Sequence, residues 1–155
     1  MINLKLLKRL GELFSFKTSE EVDEFLEIIQ TIATLNDPDY LPFLFAFLQD
    51  DPEYVDVRDS IMFVIEAYPL EIYVTYLLKA LKNQFIRTPW LCEVLISRLL
   101  NTELDKNCLK KYIHLADKET MLKILDNKEI NKYCPEQHRP IIAELRSLVN
   151  AAPTA

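Results

Sequence analysis

The chain has 155 residues, of which half are apolar and 27% are charged, a balance typical of a folded globular protein and not of a disordered one. Its formal net charge at pH 7 is −6. It contains a single glycine, Gly11, which excludes glycine-rich phosphate-binding loops and disfavours sheets built from tight hairpins.

A first amphipathic helix is predicted from the N-terminus to about residue 14. Its apolar residues are interrupted by Lys5, Lys8 and Arg9, which is not the pattern of a signal peptide, so we expect a cytoplasmic protein. The same residues are compatible with a helix lying on a membrane surface, but only three bases are present and a strongly acidic segment follows. The pattern therefore favours a helix that covers the N-terminal end of the fold.

Further helices are predicted from their start signals. Thr18 is followed three residues later by Glu21, the spacing of a capping box. A polar or small residue before proline recurs as a helix start at Asp37-Pro38, Asp51-Pro52, Thr88-Pro89 and Cys134-Pro135. These signals predict about eight or nine helices of roughly 10 to 17 residues, and an all-α fold.

One pair of predicted helices resembles a HEAT-type hairpin. A first helix over residues 38–49, bent by an interior Pro42, is followed by an Asp-Asp-Pro turn and by Val57-Arg58 in the second helix. Because stacked hairpins bury their faces against one another, we predict a short HEAT-like α-solenoid of eight or nine helices. An irregular helical bundle is the alternative. Residues 1–150 are predicted to form one domain, followed by a frayed tail over residues 151–155.

The sequence contains no recognisable catalytic pattern. His114 and His138 lack the second ligand or acid–base partner at helical spacing that a metal site or an active site needs. Cys92, Cys108 and Cys134 are too widely spaced for a metal knuckle and are interpreted as reduced, buried thiols. We therefore predict no catalytic residue, no metal and no cofactor, and a protein that is not an enzyme.

Charge is distributed very unevenly. Residues 18–71 hold fourteen acids against one base, Arg58, a net charge of −13, whereas residues 81–155 hold twelve bases and nine acids. Such a field repels nucleic acid and anionic membranes and attracts a basic protein. The alternative is that the charge only keeps the protein soluble.

Helical phasing around Arg58 places several acids and Phe63 opposite an apolar stripe. If Phe63 is exposed there, it is an aromatic anchor surrounded by carboxylates, a composition typical of a binding hot spot. The residues predicted to contact a partner are Asp37, Asp39, Asp50, Asp51, Glu53, Asp56, Asp59, Phe63, Glu66 and Glu71.

Three segments resemble an all-α family of immunity proteins from bacterial polymorphic-toxin and contact-dependent inhibition systems, family 30 of that series. They are residues 63–68, residues 73–78, and Pro89-Trp90 followed by the Arg-Leu-Leu-Asn of residues 98–101. The resemblance covers about residues 20 to 125. It implies a cytoplasmic protein that binds and neutralises a cognate toxin encoded beside it.

The acidic half points to the kind of toxin. A nuclease must hold phosphates, so its active cleft is basic and an acidic inhibitor can occlude it. The predicted partner is therefore a basic nuclease toxin, with no nucleic acid, membrane or small molecule bound. Blocking an exosite is a second mechanism, and a HEAT-like adaptor between cellular proteins is the alternative function.

Overall fold

A computed structural model of the chain describes residues 1–127 and 137–153. Within these ranges it contains nine α-helices, two short 3-10 helices (Pro38–Tyr40 and Ile113–Leu115) and no strand, which confirms the all-α fold class. No single described helix is both long and apolar enough to cross a membrane; only the consecutive helices Val55–Glu66 and Leu70–Arg87 meet both conditions when taken together, and the chain bends by 120° between them. The helices are α1 (Leu4–Leu13), α2 (Ser19–Leu35), α3 (Leu41–Phe47), α4 (Val55–Glu66), α5 (Leu70–Arg87), α6 (Pro89–Arg98), α7 (Glu103–Tyr112), α8 (Lys118–Asp126) and α9 (Arg139–Ala151).

The chain divides into two compact units, Met1–Tyr73 and Val74–Ala155, with the division inside α5. In the first unit α2 packs against α1 and α4, and α3 packs against α4. In the second unit α9 packs against α7, α8 and the 3-10 helix that follows α7. The solenoid and the single domain over residues 1–150 stay predictions.

The first two helices each begin directly after a polar N-cap residue, Asn3 for α1 and Thr18 for α2. The Asn3 side chain accepts a hydrogen bond from the N–H of Lys5 (3.0 Å), and the Thr18 hydroxyl accepts one from the N–H of Glu21 (3.3 Å). In a standard capping box the Glu21 carboxylate would accept a hydrogen bond from the N–H of the capping residue, Thr18. Here it accepts one from the N–H of Lys17 (2.6 Å), one residue earlier in the chain.

The apolar side of α1 is covered by protein in the second half of the helix, whereas Leu4 in the first turn is exposed. Leu10 and Leu13 are buried, and the Arg9 guanidinium donates two hydrogen bonds of 2.6 and 2.7 Å to the Glu24 carboxylate on α2. A planar guanidinium paired in this bidentate way fixes the register of the two helices as well as joining them.

Two predicted helix boundaries are wrong. Pro42 does not bend a long helix: it would clash with the carbonyl four residues before it, so the chain forms the 3-10 helix Pro38–Tyr40 and α3 restarts with Pro42 in its first turn. Pro52 does not begin a helix either, because α4 starts at Val55, where the N–H groups of Val57 and Arg58 reach the Tyr54 carbonyl. The predicted start at Cys134-Pro135 lies outside the described residues.

The core of the first unit follows the helical period of the sequence. Phe25, Ile29 and Ile32 of α2 are buried, as the periodicity predicts. The five residues of the predicted apolar stripe on and after α4 are also buried: Val57, Ile61, Val64, Ile65 and Tyr68. These two stripes supply much of the apolar surface through which α2 and α4 pack together.

Candidate functional site

The turn between α3 and α4 is held by Arg58. Its side chain is only 15% exposed, its Nη1 donates to the Asp50 carbonyl (3.4 Å), and its Nε lies 3.0 Å from the Asp59 carboxylate. A guanidinium that bonds both the turn and its own helix restrains the backbone of residues 50–54. The other side chains of this turn therefore project from a restrained backbone.

Three carboxylates at and after this turn point into solvent. Asp51, Glu53 and Asp56 are exposed, and none forms an ion pair with any residue in the described ranges. Asp59 is also exposed, although Arg58 lies beside it. These exposed carboxylates create a negative local potential, which Arg58 offsets only in part and which a partner's cations would relieve.

Phe63 lies on the same side of α4 as Asp56 and Asp59. Its side chain is 72% exposed, which is unusual for so large an apolar group. At about 100° per residue, Phe63 projects in nearly the same direction as Asp56 and within roughly 40° of Asp59. We define the acidic surface as Asp51, Glu53, Asp56, Asp59 and Phe63.

The other predicted contact residues are placed differently. Asp39 is exposed beside the 3-10 helix and Glu71 is exposed in the first turn of α5. Asp50 and Glu66 are half-buried.

Asp37, another predicted contact residue, forms contacts within the protein that stabilise the fold. Its carboxylate lies 2.9 Å from the Met1 amino group and accepts a bond from the N–H of Asp39 (3.1 Å), and both contacts hold the pKa of Asp37 below its usual range. Its carbonyl accepts a hydrogen bond from the Tyr68 hydroxyl (3.1 Å). Burial, with Asp37 nearby, raises the pKa of Tyr68 to about 12. Asp37 thus ties the 3-10 helix to the end of α4.

The sequence reading missed an aromatic cluster next to the acidic surface. The ring centroid of Phe16 lies 5.6 Å from that of Phe14, 5.1 Å from that of Phe25 and 5.4 Å from that of Tyr54. The ring centroid of Phe14 lies 5.0 Å from that of Phe47. Most of these rings meet edge to face, the geometry that aromatic quadrupoles prefer. A cleft of about 180 Å³ opens between this cluster and the turn, with Glu53 and Arg58 on its walls.

The second unit differs in its electrostatics. Four of its lysines lie 2.8–3.2 Å from carboxylates: Lys82 from Asp117, Lys106 from Glu103, Lys110 from Glu144 and Lys123 from Glu119. Arg146 also pairs with Asp126. Many of the basic charges are therefore matched locally, in contrast to the exposed acids of the first unit.

The histidines and cysteines do not come together in the described part of the chain. His114 is exposed, whereas His138 is buried, and burial with Lys106 nearby lowers its pKa. Cys92 and Cys108 are buried, and Cys134 lies outside the described residues. Across residues 1–127 and 137–153, no three His, Cys, Asp or Glu residues are grouped to hold a metal ion.

The model of the family described as immunity protein 30 matches residues 12–109, which include the acidic surface and the aromatic cluster. No curated protein and no solved structure matches the chain.

Proposed function

This chain belongs to the immunity protein 30 family, and from that premise we propose that it neutralises a nuclease toxin by covering the toxin's basic cleft with its acidic surface. Membership of an immunity protein family implies that the protein binds a cognate toxin. It also implies that the protein acts as an inhibitor and not as an enzyme. The proposed site of action is the cytoplasm of the toxin-producing cell, where a delivered or newly made nuclease would meet its substrates.

The observation that carries this proposal is a set of exposed carboxylates, in the turn before α4 and on α4 itself, together with an exposed phenylalanine on the Asp56 side of that helix. Asp51, Glu53 and Asp56 are free of ion pairs to described residues, so a partner's lysines or arginines gain their attraction without displacing an internal cation. Phe63 supplies apolar area at the same place. Binding hot spots are centred on aromatic anchors that become buried, and a polar rim surrounds them.

The wider charge distribution supports fast association. Residues 18–71 carry a net charge of −13, and a field of this sign steers a basic protein toward the surface before contact. Electrostatic steering brings association rates to about 10⁸–10⁹ M⁻¹s⁻¹ at low salt, and screening reduces them as salt is added. For an inhibitor of a lethal enzyme, rapid capture is the useful property.

The proposal predicts a strong effect of charge reversal. Changing Asp51, Glu53 and Asp56 together to Lys should slow association with the toxin roughly ten-fold or more and flatten its salt dependence, because attraction becomes repulsion. The free energy of unfolding should change by about half a kcal/mol or less for Asp51 and Glu53, and by about 1 kcal/mol for Asp56, because Lys in the first turn of α4 opposes the helix dipole. Association rates measured across a salt series, with thermal unfolding of the free protein, test both parts.

A matched control lies on α2. Glu20, Asp23 and Glu27 are also exposed and form no ion pairs with described residues, and both sets place one acid at the second residue of a helix. Reversing this set changes the net charge equally, so it should reproduce only the long-range part of the loss. If both triple variants associate alike, the acidic surface makes no special contact. Normal binding by the first variant would place the interface elsewhere, as an exosite inhibitor using another face requires.

A second prediction concerns the histidines. His114→Ala and His138→Ala should both protect cells that express the toxin, because the proposed mechanism needs no proton transfer or metal. The buried His138 variant should lose some thermal stability, whereas the exposed His114 variant should not. A folded His114→Ala protein that fails to protect would argue for catalysis.

A further inference from the structure

The cleft beside the aromatic cluster adjoins the acidic surface. Phe16, Phe47 and Tyr54 form its apolar walls, and Glu53 and Arg58 its polar ones. Glu53 belongs both to the cleft and to the acidic surface, so a partner that covers one necessarily meets the other. With a volume of about 180 Å³, the cleft has room for a side chain and not for a larger ligand.

The backbone at Phe16 is strained. Its φ of 44° lies in the left-handed region, which aromatic residues rarely adopt and which costs about 1–2 kcal/mol. The strain places the Phe16 ring edge-on to Tyr54 and Phe25. Non-glycine residues held in this conformation concentrate where a ligand is clamped.

Two charged side chains line the cleft, Glu53 and Arg58, and they differ in whether an opposite charge already lies beside them. Arg58 is already engaged by the Asp59 carboxylate (3.0 Å) and the Asp50 carbonyl (3.4 Å), which offsets its positive charge. Glu53 and its neighbours Asp51 and Asp56 have no cation of their own among the described residues. Aromatic faces attract ammonium and guanidinium groups further, and their rings pack against the aliphatic stems of Lys and Arg.

We propose that this cleft receives one lysine or arginine side chain of the toxin, with its stem against Phe16 and Tyr54 and its charged end at Glu53. The assignment rests on the proposed function, since it identifies one contact within that interface. It makes the cleft the part of the surface that slows dissociation, while the surrounding carboxylates speed association.

The test uses small probes in place of the toxin. N-acetyl-lysine amide and N-acetyl-arginine amide are titrated into the full-length, isotope-labelled protein, with the uncharged N-acetyl-norleucine amide as the matched probe. The basic probes should shift the backbone NMR signals of Phe16, Tyr54 and Arg58, and norleucine amide should not. Tyr54→Leu and Glu53→Gln should each weaken probe binding about three- to thirty-fold, whereas Asp23→Asn on α2, outside the acidic surface, should leave it nearly unchanged.

The outcomes separate this proposal from the broader one. Basic probes that leave the cleft signals unshifted, or shift them no more than norleucine amide does, overturn the cleft proposal. The charge-reversed triple variant still tests the acidic surface in that case. If the probes bind at the cleft but the triple variant binds the toxin normally, the cleft binds basic side chains and the toxin is not its occupant.

Discussion

Replacing Phe63 by Ala is expected to weaken toxin binding by about 2 kcal/mol or more, roughly a thirty-fold rise in Kd, while leaving the fold intact. The side chain is 72% exposed, so its removal opens no cavity in the free protein. In the complex, the same ring would be buried among carboxylates that hold the partner's cations. Calorimetric titration of the toxin with the variant measures the loss, and it should appear mainly as faster dissociation.

Leu104→Ala is the matched control for this substitution. Leu104 is also 72% exposed and also stands beside acids, Glu103 and Asp105, but it lies on α7 in the second unit, far from the acidic surface in the sequence. It should bind like the unmodified protein. Equal losses from both variants would mean that exposed apolar area matters generally, and an unchanged Kd for Phe63→Ala would remove the anchor from the proposal.

Replacing Phe25 by Ala is expected to lower the free energy of unfolding by about 3–5 kcal/mol, a large share of the roughly 5–15 kcal/mol that holds a domain together. Phe25 is fully buried, and its ring centroid lies 5.1 Å from Phe16, 5.6 Å from Phe47 and 6.1 Å from Phe14. Its removal would leave a cavity where α2 meets these rings. Urea unfolding followed by circular dichroism measures the loss.

Phe63→Ala serves here as the exposed counterpart, since the chemical change is identical and only burial differs. It should shift the unfolding midpoint little. A loss below about 1 kcal/mol for Phe25→Ala would mean that the cluster closes around the missing ring without cost, against the usual behaviour of packed cores. Toxin binding by the Phe25 variant should fall as well, because the cleft walls at Phe16 and Phe47 depend on this ring.

The sequence predicts the helices and their buried faces well because both follow from local periodicity. Ile61 and Ile65 recur at helical spacing, and both are fully buried. Helix starts are less predictable, since proline after aspartate is favoured both in turns and in first helical turns. Asp37-Pro38 does begin a helical turn, whereas Asp51-Pro52 lies in the loop before α4.

The candidate site is only partly predictable, because exposure depends on what lies opposite in space. Phasing placed Phe63 among the acids, but only the packing of neighbouring helices decides that it stays exposed. Asp37 looks like any other acid in the sequence, yet the Met1 amino group and Tyr68 engage it. The aromatic cleft has no sequence signature, since its rings come from positions without a common period, among them Phe16, Phe47 and Tyr54.

The anchoring of the α3–α4 turn by Arg58 bears on how immunity proteins diversify. Because Arg58 bonds the turn through a backbone carbonyl, the identities of Asp51 and Glu53 are unconstrained by that bond. When the surface of a toxin changes, single substitutions at these two positions could restore binding while the helices beneath stay unchanged. Under the proposed function, partner choice and structural integrity would be encoded by different residues, so that new toxin–immunity pairs could arise on an old scaffold.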